Sequence, residues 1–303
     1  MPYIEKLCSL CEKLGCEYRL NEPLKNHTTF KIGGNAKILV EINSTDTLAE
    51  LVKFLNKDSV RFFVIGKGSN ILAHDDGFDG VILKVSNKFS NVRMTDENEI
   101  YCTAGTPLSE LCLFALEHSM TGLEFAYGIP GTAGGALFMN AGAYGGEIKD
   151  VVVSARCIDK NGNIITINAE DMKLSYRHSI FSENTDYIIA DMTFSLEKGE
   201  KSEIKSKMDE LLQKRKDKQP LEFPSAGSTV KRPEGSYASL LIEQCGLKGM
   251  SAGDAQVSEK HSGFVINKGN ATFADVLELT GQVKEIVKEK TGYTLELEPI
   301  ILK

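Results

Sequence analysis

Long apolar runs are missing from this chain. No uninterrupted segment approaches the roughly 20 apolar residues that cross a bilayer. A membrane-spanning helix and a membrane partner are therefore not expected. The opening residues, MPYIEKLCSLCEKLG, lack the apolar stretch of a signal peptide, so a cytoplasmic location is the expectation. Positive charge is also short. Lys and Arg number 35 against 42 Asp and Glu, a formal net charge of −7. A large nucleic-acid footprint needs many phosphate-neutralising cations and is not expected. A local positive pocket for a phosphorylated small molecule remains compatible with that balance. The seven cysteines are odd in number and follow no disulfide-framework spacing. Cys8 and Cys11 form a C-x-x-C with Cys16 nearby, but a zinc site needs a fourth ligand. The pair reads better as ordinary helix-face residues, and no metal is expected. Internal repeats and low-complexity segments are absent too.

What is present is an ordinary globular composition, 42% hydrophobic and 25% charged over 303 residues, long enough for two or three domains. Ile4, Leu7, Leu10, Cys11 and Leu14 recur at helical spacing and predict an N-terminal amphipathic helix. Strand 36–42, helix 45–55, strand 62–65 and strand 81–85 follow. The helix presents Leu48, Leu51, Val52 and Leu55 on one face, and Thr47 with Glu50 suits a capping box. This β-α-β-loop-β order fits a small α/β region over 1–86. A second region, 87–198, opens its helix at Thr106-Pro107, with proline in the favoured first position. It then carries a hairpin, 151–158 and 164–167, around Lys160-Asn161-Gly162-Asn163, where Asn-Gly favours a primed turn. A third region, 199–303, holds helices ended by Gly246 and Gly292 and a final strand, 295–302.

Two glycine-rich segments stand apart. GKGSN at Gly66–Asn70 directly follows the apolar run Phe62–Ile65, and GIPGTAGGALFMNAGAYGG fills Gly128–Gly146. Side chains this small build little core, so the glycines serve the backbone, by close approach or by exposing N–H groups in anion-binding nests. A phosphate-bearing cofactor is one reading; a tight turn followed by a buried small-residue helix is the other. The two commonest nucleotide motifs fail. Gly66-Lys67-Gly68-Ser69-Asn70-Ile71 lacks the third glycine of a dinucleotide fingerprint, 71–80 does not read as the required helix, and no P-loop occurs.

The two segments resemble those of the UDP-N-acetylenolpyruvoylglucosamine reductase (MurB) family. NHTTFKIGG at Asn26–Gly34, SYRHSIF at Ser175–Phe181, PSAGSTVKRPEG at Pro224–Gly235 and AQVSEKHSGFVIN at Ala255–Asn267 extend the match, in family order, over nearly the whole chain. Between Arg177 and Ser228 the chain lacks a tyrosine-bearing insertion, and so resembles the shorter, second type. The resemblance implies an α+β chain: an FAD-binding fold of the vanillyl-alcohol-oxidase type made of two α/β subdomains, plus a C-terminal α+β substrate-binding domain. It implies FAD as cofactor, NADPH as hydride donor, and UDP-N-acetylglucosamine enolpyruvate as the substrate reduced to UDP-N-acetylmuramate in peptidoglycan precursor synthesis. A monomer is expected. An FAD oxidase of the same fold, or a non-catalytic flavin or UDP-sugar binding protein, are the competing readings.

By the same resemblance, Gly66, Lys67, Gly68, Ser69 and Asn70 wrap the FAD pyrophosphate. Tyr127, Gly128, Ile129, Pro130, Gly131, Thr132, Ala133 and Gly135 line the flavin. Arg177 stands at the family's carboxylate-binding arginine, a role its planar, permanently charged fork suits; read alone, it is a surface arginine beside a strand. Ser228 matches the proton donor; read alone, it is a turn serine bonding its own backbone. Glu298 matches the family glutamate by its spacing from Gly292. Aligning instead on Pro299 would put Ile300 there, and alternation along a strand would bring Glu296 to the face of Glu298. Lys218 suits the substrate diphosphate, or equally a solvated helix end. Lys231, Arg232 and Gln256 are expected on the substrate side, with Glu259 a weaker choice. His178, next to Arg177, is expected to face away from the chemistry.

Overall fold

A computed structural model describes residues 2–303. Packing divides them into two compact units. The first contains the described residues up to Leu20, then Ile38–Lys67 and Gly80–Lys214; the second contains Asn21–Lys37, Gly68–Asp79 and Arg215–Lys303. Each has its own apolar core. The units cut across the consecutive segments 1–86, 87–198 and 199–303, because two early stretches pack with the C-terminal third.

In the first unit, helix Pro2–Leu14 buries Leu7 and Cys11, as its periodicity predicts. Helix Thr45–Lys57 buries Leu48, Leu51, Val52 and Leu55 without remaining exposure. Each such side chain contributes about 1.5–3 kcal/mol, so the apolar stripe, rather than helix propensity, holds this helix in place. Its cap differs from the expected one. Ser44 is the N-cap and its hydroxyl accepts the Thr47 N–H at 3.1 Å, while Thr47 Oγ1 donates to Asn43 Oδ1 at 2.8 Å. Thr47 lies inside the first turn, too far along to cap it.

A four-stranded sheet runs in the order Tyr18–Pro23, Asn35–Glu41, Phe78–Lys84, Phe62–Ile65. The last two strands are parallel, Ile65 opposite Lys84. A five-stranded antiparallel sheet runs Ile164–Asn168, Val152–Ile158, Ile188–Ser195, Glu99–Thr103, Val92–Asp96. Its hairpin forms where expected, but the turn is not a two-residue primed one. Gly162 has positive φ and Asn161 does not. Asp159 builds a longer loop instead, its carboxylate accepting the N–H groups of Asn161 and Asn163, each at 2.8 Å. Helix Leu108–Glu117 has Pro107 as N-cap, one residue before the expected first position. Helix Lys201–Lys218 buries Ile204, Met208 and Leu211.

In the second unit, strand Ile71–Ala73 pairs in parallel with Ile300–Leu302, and Phe30, Ile32 and Leu72 enter the same core as Leu241, Val276 and Leu279. Helix Phe273–Thr291 opens on a Thr272–Asp275 capping box and stops at Gly292, whose φ of 79° permits the turn. The Asp75 carboxylate accepts two further N–H groups there, Phe273 at 2.8 Å and Ala274 at 3.2 Å. Helix Ala238–Gln244 and the short antiparallel strands Ser251–Ala252, Ala255–Val257 and Val265–Asn267 complete the unit. The final strand begins at Ile300 rather than Leu295, since 295–299 joins Val230 through a single bridge at Leu297. Glu296 and Glu298 are therefore not alternating residues of one strand. Among the described residues the seven cysteines are free and no metal-binding cluster of His, Cys, Asp or Glu occurs. No described helix is long and apolar enough to cross a membrane.

Candidate functional site

Gly66 follows the carboxyl end of a parallel strand, the usual ligand side of such sheets. A Cβ at Gly66 would lie 2.5 Å from Thr132 Oγ1, so the two glycine-rich segments meet here and only glycine fits. Beneath them lies Lys84, 9% exposed, whose ammonium donates to the Gly66 carbonyl at 2.6 Å. Burial pushes its pKa down to about 8, with Glu41 opposing the shift. Among the described residues, the N–H groups of Gly66 and Lys67 have no acceptor within the chain.

The longer glycine segment has little such capacity left. Its N–H groups at Ile129, Gly131, Ala133 and Gly134 already donate to Ala126, Ile129, Thr106 and Ala104. Thr132 caps helix Ala133–Phe138, accepting the Gly135 N–H at 3.3 Å. Tyr127, Gly128, Ile129 and Gly131 are half-buried, Pro130 and Gly135 exposed, Thr132 and Ala133 buried. The segment thus offers a surface of small side chains and one half-buried tyrosine rather than an anion nest. Within the first unit, that surface and the neighbouring Gly66–Lys67 N–H groups have the chemistry to suit a flat ring system attached to a diphosphate.

Arg177 also belongs to the first unit. Its φ is 54°, a left-handed conformation uncommon for arginine. Nη2 approaches the Gly142 carbonyl at 3.5 Å, and the guanidinium carbon lies 5.0 Å from the Tyr176 ring centroid. His178 is committed elsewhere: Nδ1 lies 3.0 Å from the Lys173 carbonyl and Nε2 3.1 Å from Glu183.

The second unit contains Gly68, Ser69, Asn70, Ser228, Glu298 and the four expected substrate contacts. A Cβ at Gly68, where φ is 68°, would collide with the His27 carbonyl. Gly68 accepts the Thr29 N–H at 3.2 Å, and Gly68 and Ser69 likewise have N–H groups without a described acceptor. Asn70 reaches the segment holding Glu298. Its carbonyl accepts the Ile300 N–H at 2.9 Å and its amide lies 3.4 Å from the Glu298 carbonyl. Glu298 in turn donates its N–H to Thr229, the neighbour of Ser228, at 3.0 Å. Thr229 is buried, with its N–H on Gly263 and its hydroxyl accepting the Val265 N–H. Ser228 is half-buried and directly precedes Thr229 in the chain.

The remaining expected contacts are less gathered. Lys231 pairs with exposed Glu296 at 3.6 Å, which leaves Glu296 in a surface ion pair. Arg232 stacks over the Tyr237 ring, 4.4 Å from its centroid. Gln256 donates to Gly249 at 3.1 Å, and Glu259 is exposed. Lys218 is exposed at the end of its helix, near enough to His261 to act on it: that imidazole is held below its ordinary pKa first by burial, with Lys248 and Lys218 acting the same way. Sequence reasoning passed over Lys84 and Asn140. A lysine closing the apolar run Val81–Leu83, and an asparagine inside a glycine-rich segment, were the available signals.

Residues 36–168 match the family model of the FAD binding domain, and 219–302 match that of the UDP-N-acetylenolpyruvoylglucosamine reductase C-terminal domain. The chain is 52% identical over 282 residues to the UDP-N-acetylenolpyruvoylglucosamine reductase of Caldanaerobacter subterraneus subsp. tengcongensis, covering 93% of this chain and 92% of that one. The chain belongs to the UDP-N-acetylenolpyruvoylglucosamine reductase family. The reductase of Clostridium novyi is 48% identical over 97% of this chain and 94% of its own. The crystal structure of the Thermus caldophilus family member (MurB) superposes with a TM-score of 0.79 at 32% identity, covering 95% of this chain and 99% of that one. The expected α+β architecture, with an FAD-binding part and a C-terminal α+β part, is the one this chain has. Family membership and the FAD-binding domain make it a flavin-dependent oxidoreductase.

Proposed function

We propose that the chain reduces UDP-N-acetylglucosamine enolpyruvate to UDP-N-acetylmuramate, using FAD and NADPH, in the cytoplasm and as a monomer. The observation that carries this reading is the backbone bond joining Glu298 to Thr229, beside Ser228, in a chain that matches named reductases along nearly its whole length. Bound FAD would supply the hydride chemistry that links NADPH to the methylene carbon of the enolpyruvyl group. Gly66–Asn70 hold its diphosphate, and Tyr127–Ala133 with Gly135 line its ring. The consecutive segments 1–86, 87–198 and 199–303 serve as two cofactor-binding parts and one substrate-binding part.

Hydride addition leaves an electron pair on the carbon bearing the carboxylate. Arg177 binds that carboxylate and opposes the growing charge with a permanent cation, placed before the charge develops. Ser228 delivers its hydroxyl proton to that carbon, and the serine oxygen recovers a proton from water. A serine hydroxyl is a weak acid, so the transfer works only at short range to a strongly basic carbon. Glu298 is the third member, preferred to Ile300 because its backbone is bonded beside Ser228 while Ile300 begins the strand paired with Ile71. Lys218, Lys231, Arg232 and Gln256 hold the UDP-sugar.

Purified protein tests the reading. It should be yellow, and its NADPH consumption should depend on UDP-N-acetylglucosamine enolpyruvate. Flavin reoxidised by oxygen alone would favour an oxidase. Flavin that NADPH never reduces would favour a binding protein. Protein unable to take up FAD would overturn all three.

A further inference from the structure

We propose that Asn140 is a positioning residue that fixes Arg177 for binding a substrate carboxylate. The inference rests on the role given to Arg177 above. Asn140 has no exposed surface and adopts φ 41°, a left-handed conformation that asparagine tolerates better than most residues. All of its amide is engaged. Nδ2 donates to Glu147 Oε2 at 3.0 Å and to the Ser175 carbonyl at 2.9 Å, while Oδ1 accepts the Lys149 N–H at 2.9 Å. The amide orientation follows from these partners, since reversing it would set oxygen against oxygen.

Ser175 opens the turn that carries Arg177. Ser175 and His178 exchange two backbone bonds at 3.1 Å each, closing the chain around Tyr176 and Arg177. Just beyond, the Ser179 hydroxyl donates to the Phe138 carbonyl at 2.6 Å. Both ends of the turn are thus fastened to the glycine-rich segment, one by Asn140 and one by Phe138. The left-handed backbone at Arg177 persists only because its surroundings over-determine it, and Asn140 supplies one of the two fastenings. Asn140 also organises the local charge. With Lys149, 2.8 Å away, it holds the Glu147 carboxylate, whose pKa is lowered by Lys149 first and by Asn140 and Arg177 in addition.

The test compares two ligands by calorimetry on holoenzyme: the enolpyruvyl substrate, which carries the carboxylate, and UDP-N-acetylglucosamine, which lacks it. Asn140→Ala should keep its FAD and weaken only the enolpyruvyl ligand, by about tenfold, the size expected from losing one charge-directing contact. In an Arg177→Ala background the same substitution should change that affinity less than about twofold, because the two residues act as one unit. Asn140→Gly, which accepts the left-handed backbone without strain, should reproduce the loss and serves if the alanine variant does not fold. Equal weakening of both ligands, or an undiminished effect without Arg177, would overturn the positioning role. If Arg177→Ala weakens the enolpyruvyl ligand but neither Asn140 variant does, only this inference fails. If Arg177→Ala has no effect, the role of Arg177 fails with it.

Discussion

Adding one methyl group at Gly66 probes the meeting of the two glycine-rich segments. A Cβ there would lie 2.5 Å from Thr132 Oγ1 but 3.4 Å from Thr132 Cγ2 and 3.5 Å from Thr132 Cβ. Only the hydroxyl is in the way. Gly66→Ala therefore forces Thr132 to rotate, which removes its cap from the Gly135 N–H. Overpacking of this kind costs about 1–3 kcal/mol, and loss of a threonine cap costs about 1 kcal/mol. Thr132→Ala alone should cost the cap only. In the double variant the clash is gone and the cap is already lost, so the total should stay near about 1 kcal/mol, well below the sum of the singles. Denaturant unfolding of the apoprotein, at constant m-value, measures all three. Additive effects within about 0.5 kcal/mol would refute the contact.

Ser228→Ala should retain FAD and its reduction by NADPH while substrate reduction falls by about 10²–10⁴-fold, the usual worth of a proton donor; stopped-flow traces of the two half-reactions separate these. Glu298→Gln should lower turnover and Ile300→Glu should leave it near normal, which steady-state assays decide between the two C-terminal alignments. Lys84→Met should change how stability depends on pH. Burial holds the folded pKa at about 8, below the 10.5 of an unburied lysine, so between these pH values the unfolded chain binds more protons and the wild type gains stability as pH rises, by about 1–3 kcal/mol. Unfolding midpoints at pH 8, 9 and 10 should rise relative to Lys84→Met, and parallel curves would contradict the buried charge.

Periodicity carried much of the fold. Leu48, Leu51, Val52 and Leu55 announced their helix because a stripe of burial needs that spacing, and all four are buried. Gly292 announced a helix end because few other residues take its φ of 79°. Long-range partners were silent. Nothing local to Ile71–Ala73 reveals that it pairs with Ile300–Leu302, and this pairing draws Gly68–Asp79 into the packing of the C-terminal third. The glycines at 66 and 134 were legible as backbone devices, but their immediate task is to admit Thr132 and Ala104. Ser228 and Glu298 came from motif resemblance, and the fold adds that Glu298 bonds to Thr229, the residue after Ser228. Asn140 stayed hidden because an amide reveals its partners only when the chain folds.

The central claim, that bound flavin delivers reducing equivalents to an enolpyruvyl UDP-sugar, is tested most directly without oxygen. Holoenzyme is reduced with one equivalent of NADPH, mixed with UDP-N-acetylglucosamine enolpyruvate, and followed at the flavin absorbance band. Rapid return of the oxidised spectrum, with one UDP-N-acetylmuramate formed per flavin, is the predicted result. A flavin that stays reduced in the presence of substrate would contradict the account.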